Sequence, residues 1–301
     1  MTHDDDTLKI SGASLTLQND LKVNFVVKKD LIDKNGYENL YAVFTMNGNE
    51  ITVSDYTVNG DYYVFSFSNI APDRMNDTIT AALYATRDGV EYSDELEYSI
   101  AQYCYSMLGK ETTSEQLRTL LVDLLRYGAA SQLYTGHHTD ALADASLTAE
   151  QLAWGTAADP AVQSVKNARY REMNDPSVVW NGVSLNLNDA IAMQFVFTAS
   201  DIDGVTIKVE NGNGTLLKEI AADELAISGG KYTAEFKGLT AGQMSDTVYV
   251  TAYRGEEAIS NTVAYSIESY AFAKQNDENA NLAALVKAMM KYGNAAHAYA
   301  Q

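Results

Sequence analysis

Hydrophobic and polar residues alternate with a period of two along the first hundred residues. In the stretch 14–27, SLTLQNDLKVNFVV, the apolar residues Leu15, Leu17, Val23 and Phe25 are separated by polar ones. This alternation is typical of half-buried β-strands. Similar stretches are YAVFTM (41–46), DYYVFSF (61–67), DTITAALYAT (77–86) and ELEYSI (95–100). Asn-Gly and Asp-Gly pairs between them suit tight hairpin turns, so the pattern predicts antiparallel β-structure.

The hydrophobic period changes to 3.6 after residue 110. Thr112, Thr113 and Ser114 are candidate N-caps for a helix that begins next to them. Its apolar stripe consists of Leu117, Leu120, Leu121, Leu124 and Leu125, extended by Tyr127 and Tyr134. We predict a long amphipathic helix, preceded by a short one, that packs on the β-structure.

The second half of the chain repeats the first. SLTLQNDLKVNFVV (14–27) returns without a gap as SLNLNDAIAMQFVF (184–197), and RYGAASQLY (126–134) returns as KYGNAAHAY (291–299). A repeat this long is a whole domain rather than a solenoid unit of about 20–50 residues. The predicted fold is mainly β with α. It has two tandem repeats, each an antiparallel β-sandwich followed by a short and a long α-helix.

The repeats define the predicted boundaries. These are a tail at 1–8, a first lobe at 9–136, a linker at 137–176 and a second lobe at 177–301. In the linker, Thr148 and Gln151 have the spacing of a capping box, and Asp159-Pro160 has the pattern of an N-cap before an N1 proline. We therefore expect a helical linker that holds the lobes at a fixed angle.

Charge and hydrophobicity limit the kinds of ligand and partner that the chain is expected to bind. The 301 residues carry a net charge of −19, which repels nucleic acid and anionic lipid but places no penalty on a neutral ligand. No run approaches the ~20 apolar residues of a membrane span, so membrane insertion is not expected. Because of the negative charge, nucleic-acid binding is not expected either. Met1 is not followed by a signal-peptide pattern. This fits a cytosolic protein or a segment of a longer secreted one, and the chain's end on a helix at Gln301 favours the segment.

The sequence lacks the signatures of catalysis. It contains no GxSxG, no HExxH and no phosphate-binding glycine loop. The pair His137-His138 is interpreted as a solvated helix cap because no further ligand is evident nearby, and Asp201-Ile-Asp203-Gly204 is interpreted as a turn. Cys104, the single cysteine, is predicted to be a small buried hydrophobe. We expect no enzyme activity, no catalytic residues, no cofactor and no metal.

Aromatic residues, with 20 Tyr, 8 Phe and 2 Trp, give the best indication of where a ligand would bind. Those with no aromatic counterpart in the other repeat are candidate sugar platforms, because an exposed ring offers apolar area with a polar edge. The predicted ligand-binding residues are Trp154 and Trp180, followed by Tyr170 and Tyr92. Tyr105 is added although Phe272 occupies its position in the other repeat, because it is expected to face away from the buried side of its helix. The small neighbours Ala153 and Gly155 are expected to leave the Trp154 ring accessible. We predict one groove shared by the lobes near their junction, with partial burial of each ring against a neighbouring lobe as the alternative.

Several of these sequence segments together resemble a known protein module. GASLTL with NFVV, then YSI and LLVDLLRYGAASQLY, is similar to a module of large secreted proteins of gut Firmicutes, over residues 9–136 and 177–301. The tandem pair resembles the second starch-binding domain of the starch adherence system proteins of the amylosome. In that family two lobes hold helical α-1,4-glucan in one groove without catalysis.

The resemblance implies a ligand and a location. The expected partners are starch, amylopectin or maltooligosaccharides, at the cell surface or outside the cell, as part of a larger secreted protein. Other proteins of a cell-surface complex would bind through regions outside this segment. The alternative function is a structural spacer or protein-docking module of a large cell-surface protein. An enzyme ranks third.

Overall fold

The computed structural model describes residues 7–17, 21–68, 70–165, 171–187 and 191–301. The predicted ligand-binding residue Tyr170 lies outside them. The chain is mainly β with helices and divides into two compact units. Unit 1 consists of Met1–Gln132 and Gly136–Gly155, and unit 2 consists of Leu133–Thr135 and Thr156–Gln301.

The described part of unit 1 has two antiparallel sheets. Their strands are β1 Gly12–Thr16, β2 Lys22–Lys28, β3 Glu38–Met46, β4 Asn49–Val53, β5 Thr57–Asn59, β6 Tyr62–Phe67, β7 Ile79–Arg87 and β8 Val90–Tyr98. The strand orders are β1-β2-β6-β5 and β4-β3-β7-β8. Phe44 of the second sheet lies 5.4 Å from Phe25 and 5.5 Å from Phe67 of the first, measured between ring centres. The two sheets therefore share a core, as in a β-sandwich.

Helices complete unit 1. They are α1 Lys29–Asn35, α2 Ile100–Leu108, α3 Glu115–Thr135 and α4 Ala149–Trp154. The last three residues of α3, Leu133–Thr135, are assigned to unit 2. Ser114 is the N-cap of α3 and accepts a hydrogen bond from the Leu117 amide, so one of the three cap candidates is confirmed. Cys104 in α2 is fully buried, and its burial raises the pKa of the thiol. The short helix α1 was not predicted.

Unit 2 is also built from two antiparallel sheets over its described residues. Its strands are β9 Val178–Asn186, β10 Ala192–Ala199, β11 Val205–Glu210, β12 Leu216–Ala221, β13 Ala226–Ser228, β14 Lys231–Phe236, β15 Val248–Arg254, β16 Glu257–Ala258 and β17 Val263–Tyr265. The orders are β13-β14-β10-β9 and β12-β11-β15-β16, with β17 also paired to β15. The helices are α5 Ile267–Lys274 and α6 Ala280–Ala300.

In each unit a glycine brings the long helix against a short 3-10 turn. A Cβ on Gly128 of α3 would lie 2.6 Å from the Met75 sulfur and 3.2 Å from the Pro72 carbonyl oxygen. A Cβ on Gly293 of α6 would lie 2.7 Å from the Met244 sulfur and 3.2 Å from the Ala241 carbonyl oxygen. An alanine at either position would require the methionine side chain to move and would place a carbon unusually close to a backbone carbonyl oxygen.

The predicted linker is less helical than expected. The capping box of Thr148 and Gln151 is confirmed at the start of α4. The helix start expected at Asp159-Pro160 is wrong, because 156–165 contains no helix. The Asp159 carboxylate instead lies 3.0 Å from the Lys291 ammonium and 3.5 Å from that of Lys287. These ion pairs engage the oxygens that a capping residue would offer to backbone amides.

Side-chain hydrogen bonds fasten each part of this segment to its own unit. In unit 1, the buried Gln132 accepts from the Ala143 amide at 2.8 Å and donates to the Ala141 carbonyl at 3.1 Å. In unit 2, the Gln163 amide donates to Glu268 at 3.1 Å. The residues up to Gly155 thus belong to unit 1 and those from Thr156 to unit 2. The fixed angle between lobes stays a prediction.

Within the described ranges, every helix is too short or too polar to cross a lipid bilayer.

We expect Gly128→Ala and Gly293→Ala each to lower the free energy of unfolding by up to about 2 kcal/mol. Alanine favours a helix by about 1 kcal/mol over glycine, but overpacking costs about 1–3 kcal/mol. Thermal and urea unfolding would measure the change. Asn294→Ala is the control, because Asn294 is exposed on α6 beside Gly293. Glycine variants as stable as the control would contradict the close-packing explanation.

Candidate functional site

Trp154 lies at the end of α4 in unit 1 and is half-buried. The Arg118 guanidinium covers its ring at 4.6 Å from the ring centre, and its carbonyl accepts from the Thr119 hydroxyl at 2.8 Å. A Cβ on the following Gly155 would lie 2.7 Å from a Val122 methyl. The small size of Gly155 therefore permits packing against α3, whereas the sequence suggested that it left the ring open.

Trp180 lies on β9 in unit 2 and is also half-buried. Its indole N–H donates to the Asn261 carbonyl at 2.8 Å. Its ring packs edge-to-face on Phe197, with ring centres 5.3 Å apart, and Phe197 is fully buried. The ring thus packs on the core of unit 2. The sequence left partial burial of this ring as an alternative, and the residues that bury it belong to its own unit.

The hydroxyl of Tyr105 in α2 forms hydrogen bonds with the backbone of the segment that follows α3. The hydroxyl donates to the Ala143 carbonyl at 2.7 Å and accepts from the Ser146 amide at 3.1 Å. Burial of this side chain raises the pKa of its hydroxyl, so the group stays a neutral donor and acceptor. These contacts give Tyr105 a structural role in unit 1.

Tyr92 of β8 belongs to a cluster at one end of unit 1. Its ring meets the Tyr37 ring edge-on, with centres 5.6 Å apart. The Arg87 guanidinium lies 4.8 Å from the centres of both rings, as in a cation–π contact. Of the predicted residues, Trp154, Tyr92 and Tyr105 therefore lie in unit 1 and Trp180 in unit 2.

A pocket in unit 2 combines two tyrosine rings with two amide side chains. Its volume is about 320 Å³, at the lower end of the range of about 300–1,000 Å³ for ligand pockets. The lining residues are Tyr134, Leu185, Asn186, Leu187, Gln194 and Tyr270. Tyr134 is in the last turn of α3, which belongs to unit 2, and the Asn281 amide group donates to the adjacent Leu133 carbonyl at 2.8 Å. Leu185 and Leu187 are buried, so the exposed part of the lining is mostly polar.

A carboxylate outside the lining holds the two amides. The Gln194 amide group donates to Glu235 at 3.2 Å, and Asn186 also donates to Glu235. Lys237 pairs with the same carboxylate at 2.9 Å. Burial raises the pKa of Glu235, but the hydrogen bonds from Lys237, Gln194 and Asn186 outweigh it and the net shift is downward. An ionised Glu235 therefore orients the amide N–H groups of two neighbouring strands.

The lining suits a neutral ligand with many hydroxyl groups. Amide side chains both donate and accept hydrogen bonds, which matches the dual character of a sugar hydroxyl. Tyr134 and Tyr270 are half-buried and add apolar area with a polar tip. Burial raises the pKa of the Tyr270 hydroxyl, and the nearby Tyr134 adds to this effect. The sequence did not identify this pocket, since Tyr134 was interpreted as part of the apolar stripe of the long helix.

Asp77, His137 and His138 form the one group of potential metal ligands found in the described residues. The His137 Nε2 lies 3.3 Å from each carboxylate oxygen of Asp77, and the His138 Nε2 lies 3.7 Å from its Oδ1. The sequence suggested no third ligand for this pair. Asp77 supplies one from 60 residues before His137.

No protein-family model and no curated protein matches the chain. Among solved structures, the chain is similar to the crystal structure of chicken CNTN1 FN1-FN3 domains at 7% identity. That match covers 87% of this chain and 67% of the other, with a TM-score of 0.21. A similarity this low carries no argument about fold or function.

We expect Tyr105→Phe to destabilise unit 1 by about 1–2 kcal/mol, because it leaves two backbone groups without their hydroxyl partner. It should leave binding of maltooligosaccharides unchanged. Thermal unfolding and calorimetric titration would measure the two effects. Tyr62→Phe is the control, since the Tyr62 hydroxyl has no hydrogen-bond partner within the described residues. A loss of glucan affinity with unchanged stability would restore Tyr105 as a sugar platform.

Proposed function

We propose that the chain is a non-catalytic carbohydrate-binding module for starch-type α-1,4-glucan. The observation that carries the proposal is the unit 2 pocket, in which Tyr134 and Tyr270 accompany the oriented amides of Asn186 and Gln194. A glucan offers apolar ring faces to the tyrosines and hydroxyl groups to the amides. The resemblance of the sequence to amylosome starch-binding domains supports the choice of glucan.

The charge of the protein supports a neutral ligand. At a net charge of −19, long-range repulsion disfavours anionic partners but leaves starch, amylopectin and maltooligosaccharides unaffected. The phenols of the pocket are neutral, and Glu235 contacts the amides from outside the lining. We further propose that the module acts at the cell surface or outside the cell, as the resemblance implies.

We also propose that the two units are a tandem duplication. The strand order β1-β2-β6-β5 of unit 1 has a parallel in β9-β10-β14-β13 of unit 2, and β4-β3-β7 has one in β12-β11-β15. The Met75 carbonyl accepts from the Ala101 amide of α2, and the Met244 carbonyl accepts from the Glu268 amide of α5, each at 2.9 Å. Such agreement in topology and in a local contact supports the repeats seen in the sequence.

The proposal predicts that the protein is depleted from solution by insoluble starch but not by cellulose. Stacking and hydroxyl recognition would depend on the curvature of the α-1,4 chain, which cellulose lacks. The measurement is the protein remaining in the supernatant after sedimentation. Retention in the supernatant with both polysaccharides would remove the starch proposal and favour the spacer or docking module.

Tyr270→Ala should weaken maltooligosaccharide binding about fivefold, since stacking contributes about 1 kcal/mol beyond area burial. Calorimetric titration would measure the affinity, with thermal unfolding as the folding check. Tyr253→Ala is the matched control, a half-buried tyrosine of unit 2 that lies beside Lys208 and does not line the pocket. Unchanged affinity in Tyr270→Ala would place the sugar elsewhere.

The same titration tests Trp154 and Trp180, which remain predicted platforms. The Arg118 guanidinium covers the Trp154 ring, and the Trp180 ring meets Phe195 and Phe197 edge-to-face. We expect Trp154→Ala to weaken binding several-fold while the protein stays folded. A large fall in melting temperature without a change in affinity would assign both rings to packing alone.

A further inference from the structure

We propose that Asp77, His137 and His138 of unit 1 bind a zinc ion. Their ligand atoms lie within 4.8 Å of one another, and two imidazoles with one carboxylate are typical zinc ligands. Asp77 is buried, His137 is mostly buried and His138 is exposed at the surface. The group therefore has a fixed inner ligand and an outer ligand that a metal can reach from solvent.

The distances between ligand atoms agree with a tetrahedral ion. Bonds of about 2.0–2.1 Å place two ligands of a tetrahedral zinc about 3.4 Å apart. The Oδ1 of Asp77 lies 3.3 Å from the His137 Nε2 and 3.7 Å from the His138 Nε2. To bind an ion between these three atoms, each of these two distances would have to change by only a few tenths of an ångström.

The other oxygen of Asp77 is held by neighbouring side chains. The Asn47 amide group donates to Oδ2, and the Arg74 guanidinium lies 3.5 Å from the same oxygen. These contacts hold the carboxylate, and its Oδ1 lies within 3.7 Å of the Nε2 atoms of both histidines. Partners of this kind orient a ligand and tune its affinity. The charge of Arg74 opposes the cation, so the site should bind zinc less tightly than a closed four-ligand site.

The backbone at the histidines brings two adjacent side chains to one carboxylate. His138 has a φ of 46°, and Gly136 just before the pair has a φ of 78°. A non-glycine residue with positive φ is uncommon and costs free energy. The left-handed turn places the two imidazole centres 4.1 Å apart at 84°, both beside Asp77. A shared ion would stabilise this turn.

Zinc at this position would connect two parts of unit 1. Asp77 belongs to the turn before β7, and the histidines come directly after α3. Three protein ligands leave one position for water or another ligand, as in an open zinc site. The expected result of binding is a more stable unit 1.

The test uses the full, untagged chain after treatment with EDTA. Titration with ZnCl2 should give one equivalent per chain, and zinc should raise the melting temperature, whereas MgCl2 and CaCl2 should do neither. His138→Gly removes a ligand and relieves the positive φ, so the metal-free variant should unfold at or above the wild-type temperature. Its zinc affinity should fall at least about tenfold.

Two matched histidine variants complete the experiment. His297→Ala removes an exposed histidine of unit 2, and His3→Ala removes the histidine beside Asp4-Asp5-Asp6. Both should keep the wild-type affinity, while His137→Ala should lose it as His138→Gly does. The proposal is overturned if wild-type protein binds no zinc, if His138→Gly binds as tightly as wild type, or if a control variant accounts for the binding.

Discussion

The close approach of each long helix to a 3-10 turn is the contact on which the rest of each unit depends. In unit 1, Gly128 lets α3 lie against Pro72 and Met75, where a side-chain carbon would be 2.6 Å from the methionine sulfur. The Met75 carbonyl also accepts the Ala101 amide at the start of α2. One turn therefore positions both helices on the sheets, and Gly293 with Met244 does the same in unit 2.

The placement of α3 determines the course of the chain after this helix. Three side chains of α3 hold the chain up to Gly155. Thr119 donates to the Trp154 carbonyl, Arg126 donates to the Leu152 carbonyl at 3.1 Å, and Gln132 accepts from the Ala143 amide. The C-terminal end of α3 brings His137 beside Asp77, which belongs to the same turn that contacts Gly128. The candidate zinc ligands are thus a consequence of how closely the helix packs.

The two candidate sites differ in their electrostatics, and the difference suits different ligands. The unit 2 pocket presents neutral phenols and amides, while Glu235 is compensated by Lys237 outside it. A neutral polyhydroxyl ligand meets no net charge there. In unit 1, a buried carboxylate faces two imidazoles with Arg74 behind it, an arrangement that suits a small cation. The net charge of −19 is a property of the whole chain, so it does not indicate where either site lies.

Local patterns in the sequence determined the elements, because a strand or helix is specified by its own periodicity and caps. The alternation around Phe25, the leucine stripe of α3, Ser114 and the capping box of Thr148 all appear where they were expected. Asp159 did not begin a helix, and its carboxylate instead pairs with Lys287 and Lys291, far along the chain. Tertiary structure alone decided which distant side chains met. It placed Asp77 against His137, covered Trp154 with Arg118, and gathered Tyr134 with Tyr270, since such contacts depend on packing between elements that no local pattern encodes.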